Sequence, residues 1–131
     1  MPKDPVIVQF DFDDNYSTVV DLIFYNIGLT RSFFGRTYSE AEKYISQLSS
    51  TKNYPDIALV ATYLGKGSMD GQEIAKKLKE ASPKTTIIAY TADDEAKWGD
   101  YLALKSSDET TLIKVLEKLT GKSFNYDNSH K

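Results

Sequence analysis

Short apolar runs alternate with amphipathic segments along almost the whole chain. Five runs have the length and composition of buried strands, and they lie at 6–10, 32–34, 56–62, 86–90 and 101–104. Segments with apolar residues at helical spacing follow four of them. Repeated strand–helix alternation is typical of a parallel sheet that is covered on both faces. The sequence therefore predicts an α/β fold, a three-layer sandwich around a five-stranded parallel sheet.

The four predicted helices have recognisable ends. The first covers 16–27. Patterns at 39–42 and 70–73 place a glutamate three residues after a serine or an aspartate, which is a capping box and predicts the starts of the second and third helices. The last helix is predicted to begin at Ser107 and to end at Gly121.

One connection is too short for a helix. Nine residues, 92–100, separate the fourth and fifth strands, whereas a parallel crossover with its helix usually needs at least ~10–12 residues. We therefore expect a shortened or absent fourth helix, with at most one turn near 94–98. Trp98, the only tryptophan, falls in this connection. It either fills the space of the missing helix, which we favour, or anchors a protein interface.

Composition excludes several kinds of site. The chain has no cysteine, which excludes thiolate metal sites, and its only histidine, His130, precedes the last residue, which argues against a zinc site or a catalytic triad. The net charge of −3, without a basic stripe, gives no support for nucleic-acid binding. No apolar run approaches the ~20 residues of a membrane span and no signal peptide is recognisable, so we predict a cytoplasmic protein.

Polar side chains directly follow several of the predicted strands. In open parallel sheets, ligands bind outside the carboxyl ends of the strands, where the strand order reverses. The side chains at those ends therefore form the candidate site. They are Asp11, Asp13 and Asp14 after the first strand, Ala61 and Thr62 after the third, Thr91 after the fourth and Lys105 after the fifth.

Four segments, in their order and spacing, resemble a response-regulator receiver domain. They are 55–64, 69–75, 87–92 and 100–102. The resemblance extends over about 5–119. It implies the flavodoxin-like strand order 2-1-3-4-5 and a receiver-like domain at 1–122. Residues 123–131 are polar, which predicts a frayed C-terminal tail.

The resemblance places Ala61 where receiver domains carry the aspartate that accepts a phosphoryl group. A methyl group cannot act as a nucleophile. Receiver domains also hold magnesium with two acidic residues after the first strand. Asp11 matches the first of these, and Phe12 matches the second in an ungapped alignment. A shifted alignment would instead pair Asp13 with Asp14.

Three further positions match the family pattern. Thr91 matches the hydroxyl group that binds phosphoryl oxygens, and Tyr101 matches the aromatic side chain that moves with that hydroxyl. Lys105 corresponds to the phosphoryl-binding lysine, although it lies one residue further from Tyr101 than the family spacing. A serine follows it where the family usually has proline.

The same residues also have purely structural interpretations. Aspartate favours turns and helix N-termini, so we interpret Asp11, Asp13 and Asp14 in this way rather than as a weak cation site on Asp11 and Asp13. Without the acceptor aspartate, a magnesium site would lack one hard ligand. We expect the Thr91 hydroxyl to bond to the backbone. Lys105 either pairs with Asp11 or points to solvent.

The resemblance and its departures together imply a pseudo-receiver of bacterial two-component signalling. Such a domain is not an enzyme, needs no cofactor and acts through protein–protein contacts. The implied partners are a histidine kinase, another receiver, an output domain or a second copy of the chain. Two alternatives stay open: a small-molecule or nucleotide-binding regulatory domain, and residual phosphotransfer on Asp11 or Asp13. A single laboratory substitution at Ala61 would not explain Phe12 or the short connection.

Overall fold

The computed structural model describes residues 4–105 and 109–125. Its elements in chain order are β1 (Ile7–Phe10), α1 (Asp14–Ile27), β2 (Arg31–Gly35), α2 (Tyr38–Ser46), α3 (Leu48–Thr51), β3 (Ile57–Val60), α4 (Asp70–Ala81), β4 (Thr86–Thr91), β5 (Tyr101–Leu104) and α5 (Thr110–Thr120). All five predicted strands are confirmed. Among the described residues there is no helix with the length and apolar character that crossing a membrane requires.

All the strand pairings in the sheet are parallel, and the strand order is β2-β1-β3-β4-β5. This confirms the predicted sandwich and its flavodoxin-like order. The three central strands stay in register, because Phe10 lies beside Val60 and Val60 lies beside Ala89. The residues that follow these strands therefore emerge together at one edge of the sheet.

Two apolar clusters cover the two faces of the sheet. α1 and α5 pack over one face, which includes Ile7 and Leu59. α2 and α4 pack over the other, which includes Val8 and Val60. Successive residues of a strand point to opposite faces. Because both faces are buried, the central strands are mostly apolar on both faces, although β1 contains the buried polar residue Gln9.

The second helix is capped two residues before the predicted cap, Ser39. Its N-cap is Thr37, whose hydroxyl accepts a hydrogen bond from the Glu40 amide at 3.1 Å. The Glu40 carboxylate in turn accepts a hydrogen bond from a backbone amide just before the helix. The earlier start buries Tyr38, whose amide donates to the Leu64 carbonyl at 2.8 Å. Tertiary contacts thus select one of two overlapping capping boxes.

Asp70 does not cap the helix that its capping-box pattern predicts. It is the first residue of α4 itself. Its buried carboxylate accepts hydrogen bonds from the amides of Leu64, Lys66 and Gly67 at 2.8–3.0 Å. Burial alone would raise the pKa of this carboxyl group, but the three amides together lower it. Asp70 therefore holds the β3–α4 loop rather than the helix N-terminus.

The connection between β4 and β5, all of which is described, contains no helix and only a short turn. This confirms the predicted short crossover. Trp98 is half-buried against the α2–α4 cluster, so it covers the sheet where a helix is missing. Asp100 ties the connection to β4: its amide donates to the Ile87 carbonyl at 2.7 Å, and its carboxylate accepts from the Ile87 amide at 2.8 Å.

The last helix and the chain after it are described in part. The predicted start at Ser107 lies outside the described residues, as does 126–131 of the predicted tail. The amides of Phe124 and Asn125 donate hydrogen bonds to a side chain of α5 and to a backbone carbonyl of α1, at 2.9 and 2.7 Å. The first residues of the predicted tail, 123–125, therefore pack back onto the domain.

Candidate functional site

A crevice of about 540 Å³ opens at the carboxyl edge of the sheet. It lies at the switch point, since β1 and β3 are neighbours although β2 separates them along the chain. Its lining residues are Asp11, Phe12, Asp13, Asp14, Arg36, Ala61, Thr62, Tyr63, Thr91, Ala92 and Lys105. Most of the predicted site residues thus come together. Tyr101, which packs against the α1–α5 cluster, and Trp98 do not line the crevice.

Ala61 directly follows β3 and is only 3% exposed. Its amide donates to the Phe10 carbonyl at 2.9 Å, which continues the pairing of β1 with β3. Its carbonyl oxygen is approached closely by α4, because a Cβ atom added to Gly71 would lie 2.2 Å from that oxygen. Neighbouring backbone therefore holds this position rigidly. Its methyl side chain gives the crevice neither charge nor a hydrogen-bonding atom.

Lys105 and Asp11 form a buried ion pair inside the crevice. The Lys105 Nζ atom lies 2.8 Å from Asp11 Oδ2, and the two side chains are 12% and 2% exposed. The other carboxylate oxygen accepts a hydrogen bond from the Asp13 amide at 3.0 Å. Burial raises the pKa of Asp11, and the Lys105 charge and the Asp13 amide oppose that rise without cancelling it. Of the two orientations considered for Lys105, the structure has the ion pair.

Aromatic rings hold the Lys105 ammonium from its other side. It lies 4.2 Å from the ring centre of Tyr16 and 5.4 Å from that of Tyr90. The Tyr90 hydroxyl donates to the Glu109 carboxylate. Burial and this carboxylate raise the pKa of Tyr90. Sequence patterns gave no reason to connect Glu109 with the site, since it stands next to α5 and far from Tyr90 along the chain.

Two hydroxyl groups bridge the ends of β3 and β4. Thr62 Oγ1 and Thr91 Oγ1 lie 2.6 Å apart. Thr91 Oγ1 also accepts a hydrogen bond from the Asp93 amide at 3.1 Å, as its structural interpretation predicted. Thr62 was predicted only as a strand-end residue, and its bond to Thr91 depends on the pairing of β3 with β4. The bridge links the loops on either side of the crevice.

The three aspartates after β1 have separate roles. Asp11 pairs with Lys105, Asp13 is the N-cap of α1 and accepts from the Asn15 amide at 2.9 Å, and Asp14 forms an exposed ion pair with Arg36 at 3.0 Å. Within the described residues, no three acidic or histidine side chains converge as a metal site would require. The donor set does not fit magnesium, because the most buried carboxylate already carries an ammonium partner.

Phe12 and Tyr63 form an exposed aromatic pair at the mouth of the crevice. Their ring centres are 5.2 Å apart and their planes meet at 70°. The Arg36 guanidinium carbon lies 5.1 Å from the Phe12 ring centre, and its Nε atom donates to the Phe12 carbonyl at 3.3 Å. Phe12 was predicted both as a position of the pocket and as a departure from the family pattern, and it does line the crevice. Tyr63 and Arg36 were not predicted as site residues, although an aromatic residue directly after a strand end was a visible signal.

Comparison by sequence does not place the chain in a family. No protein-family model matches it, and no curated protein sequence matches it. Comparison of structures does find similar chains, at identities below 25%, which show a shared fold.

Three solved structures illustrate that shared fold. A receiver domain protein from Methanospirillum hungatei JF-1 is 17% identical at a TM-score of 0.71, covering 89% of this chain and 94% of that one. A response regulator from Thermotoga maritima, solved with Mg²⁺ and BeF, is 18% identical at 0.71, covering 88% and 98%. The receiver domain of a modulated diguanylate cyclase from Desulfovibrio desulfuricans G20 is 19% identical at 0.68, covering 88% and 93%. The chain therefore has the fold of response-regulator receiver domains.

Proposed function

We propose that this chain is a receiver-like domain of two-component signalling that is not phosphorylated at the usual position and works through protein–protein contacts. The observation that carries the proposal is the buried methyl group of Ala61 at the end of β3, inside the switch-point crevice. Phosphoryl acceptance at this position would need a carboxylate nucleophile, which alanine lacks. A cytoplasmic location and the absence of enzymatic activity belong to the same proposal.

The neighbouring carboxylates give residual phosphotransfer little support. Asp11 is buried and held by Lys105, and Asp13 caps α1 with one of its oxygens. A nucleophilic carboxylate must reach an incoming phosphorus atom with a free oxygen in line. Attack by Asp11 would first require its ion pair to break, which is costly in a buried setting.

The interior contacts also favour a fixed surface over a switched one. The Asp11–Lys105 pair and the Thr62–Thr91 bridge join strand ends that surround the crevice. A phosphoryl group can shift a population only if it interacts differently with two states. Without an acceptor that driver is missing, so we propose a constant docking surface. The partner is a histidine kinase, another receiver, an output domain or a second copy of the chain.

Incubation with a small phosphodonor and magnesium, followed by intact-mass measurement, tests this proposal. We expect no mass increase. A receiver domain that carries the acceptor aspartate, treated in parallel, should gain one phosphoryl group and thereby show that the donor is active. A stoichiometric adduct on this chain would contradict the proposal, and mapping that adduct would identify the residue responsible.

A small-molecule regulatory domain is the second candidate, and the crevice itself favours it. The crevice lies at the switch point where open parallel sheets bind ligands, and its volume falls within the range of small-molecule sites. A thermal-shift screen of nucleotides, flavins and cyclic dinucleotides tests this candidate. A ligand that raises the melting temperature by several degrees would rank it above the adaptor function.

A further inference from the structure

We propose that the mouth of the crevice binds a partner protein through a basic side chain flanked by apolar residues. This inference rests on the proposed function, because it names the docking surface and the partner chemistry of a domain that acts by protein contacts. The mouth is defined by Phe12 and Tyr63 together with the exposed acidic side chains Asp13 and Asp14, all of which line the crevice.

Two exposed aromatic side chains stand side by side at this mouth. Six large apolar side chains are exposed among the described residues, and two of them, Phe12 and Tyr63, line the crevice. Their exposed fractions are 37% and 48%. Single exposed apolar residues are ordinary, but a cluster at the edge of a crevice marks an interaction site.

The aromatic pair is held in place before any partner binds. Gly65 lies against Phe12: it has φ = 88°, and a Cβ atom added to it would lie 2.9 Å from the ring. The Tyr63 ring and the Arg36 guanidinium also contact Phe12. A surface whose rings are fixed in the free state loses little conformational entropy on binding, and this favours affinity.

The charge around the mouth selects a basic partner. Acidic side chains outnumber basic ones in the lining of the crevice, with Asp11, Asp13 and Asp14 against Arg36 and Lys105. Because Asp11 pairs with Lys105 and Asp14 pairs with Arg36, the exposed Asp13 carboxylate carries the excess negative charge. Arg36 also shows which group this surface accommodates, since its guanidinium contacts both the Phe12 ring and the Asp14 carboxylate. An arginine or lysine of the partner would find an aromatic ring at Tyr63 and an exposed carboxylate at Asp13, both of which line the crevice.

Two synthetic peptides of equal length test the inference, one alternating leucine with arginine and the other leucine with glutamate. Each is titrated into the ¹⁵N-labelled full chain. We expect the arginine peptide to shift the amide resonances of the loops after β1 and β3. We also expect it to bind at least about tenfold more tightly than the glutamate peptide, with an affinity that falls as salt rises.

Substitutions of two exposed tyrosines test whether the arginine peptide binds at the mouth. Tyr63→Ser should weaken binding of the arginine peptide about tenfold, as expected for an aromatic hot spot, and Tyr63→Phe should retain most of the affinity. Tyr25→Ser removes a tyrosine that is 75% exposed on α1 and should leave binding unchanged. Thermal melting of all three variants checks that each is folded.

Equal affinity for the two peptides would overturn the inference, as would an equal loss in the Tyr63→Ser and Tyr25→Ser variants. Intact-mass measurement after phosphodonor treatment of the same preparations separates this result from the proposed function. If the arginine peptide fails to bind and no adduct forms, the docking surface lies elsewhere while the adaptor function stands. A phosphoryl adduct would overturn the adaptor function itself.

Discussion

The interior of the crevice and its mouth lie a few residues apart along the chain but differ in how their polar groups are satisfied. Inside, Asp11 pairs with Lys105 and Thr62 bonds to Thr91. At the mouth, Phe12 and Tyr63 stay exposed, and the exposed Asp13 and Asp14 carboxylates line the same crevice. The comparison teaches that internal contacts can close the interior of a switch-point crevice while its outer surface stays exposed.

Removal of the Lys105 ammonium should produce the largest effect. Lys105→Met would leave the Asp11 carboxylate buried without a counter-ion, which is expected to lower the free energy of unfolding by about 3–5 kcal/mol. Urea denaturation measures this change. Lys76→Met, at an exposed position of α4, should change stability by less than about 0.5 kcal/mol. Equal effects of the two substitutions would show that the Asp11–Lys105 pair contributes no more to stability than an exposed side chain does.

The stability loss caused by Lys105→Met should depend on pH. Burial raises the pKa of Asp11 above 3.8, so the folded state binds its proton more tightly than the unfolded chain does. The stability that this group contributes therefore falls as the pH rises from 3.8 through the raised pKa. The Lys105 charge opposes the rise in the pKa of Asp11. In Lys105→Met this pKa should therefore rise further, and the loss of stability with increasing pH should become larger and extend to higher pH.

The difference in unfolding free energy between the wild type and Lys105→Met should therefore be smallest in acid and largest near neutral pH. Urea titrations at several pH values measure that difference. Carboxyl groups such as Asp70 and Asp100, whose pKa values are lowered, contribute equally to the stability of both proteins. Their contributions therefore cancel in the difference. A loss independent of pH would rule out the buried carboxylate as its cause.

Substitution of Gly65 tests the rigidity of the mouth. Gly65 and Gly28 both have positive φ, at 88° and 79°, but an added Cβ atom meets the Phe12 ring only at Gly65. Alanine at either position should cost about 1 kcal/mol of stability from backbone strain. Gly65→Ala should cost more than Gly28→Ala, and it alone should weaken binding of the arginine peptide. Equal stability losses and equal affinities would mean that Phe12 is not held in place by this contact.

Loss of the hydroxyl bridge should have the smallest effect. Thr62→Val removes the bond to Thr91 but leaves Thr91 with the Asp93 amide. We therefore expect a loss of about 1 kcal/mol, measured by urea denaturation, with Thr18→Val at an exposed position of α1 as the control. No loss relative to the control would mean that the bridge adds nothing to the stability of the interior.

The predicted sheet and the short β4–β5 connection depended on local signals that tertiary structure did not override. Continuous apolar runs indicated strands buried on both faces, and nine residues were too few for a helix. The helix starts depended on weaker signals. Thr37 and Ser39 both stand three residues before a glutamate, and the burial of Tyr38 favoured the earlier start.

Some site residues were predictable from local signals, and others depended on tertiary contacts. Positions such as Asp11, Thr91 and Lys105 were predictable because each follows a strand, and parallel strands end at one edge. Tyr63 and Arg36 were missed because neither matches a chemical motif. Their role at the mouth arises from contacts with Phe12, and Gly65 permits the approach of that ring.

Local patterns along the chain were sufficient to establish the order of strands and helices, the residues at the strand ends and the methyl group at Ala61. Which side chains meet was settled only in three dimensions, as in Asp11 with Lys105, Thr62 with Thr91 and Tyr90 with Glu109. Strand register and burial create these contacts, and both depend on residues far apart in sequence. Periodicity records which face a residue occupies, but it carries no information about the partner across that face.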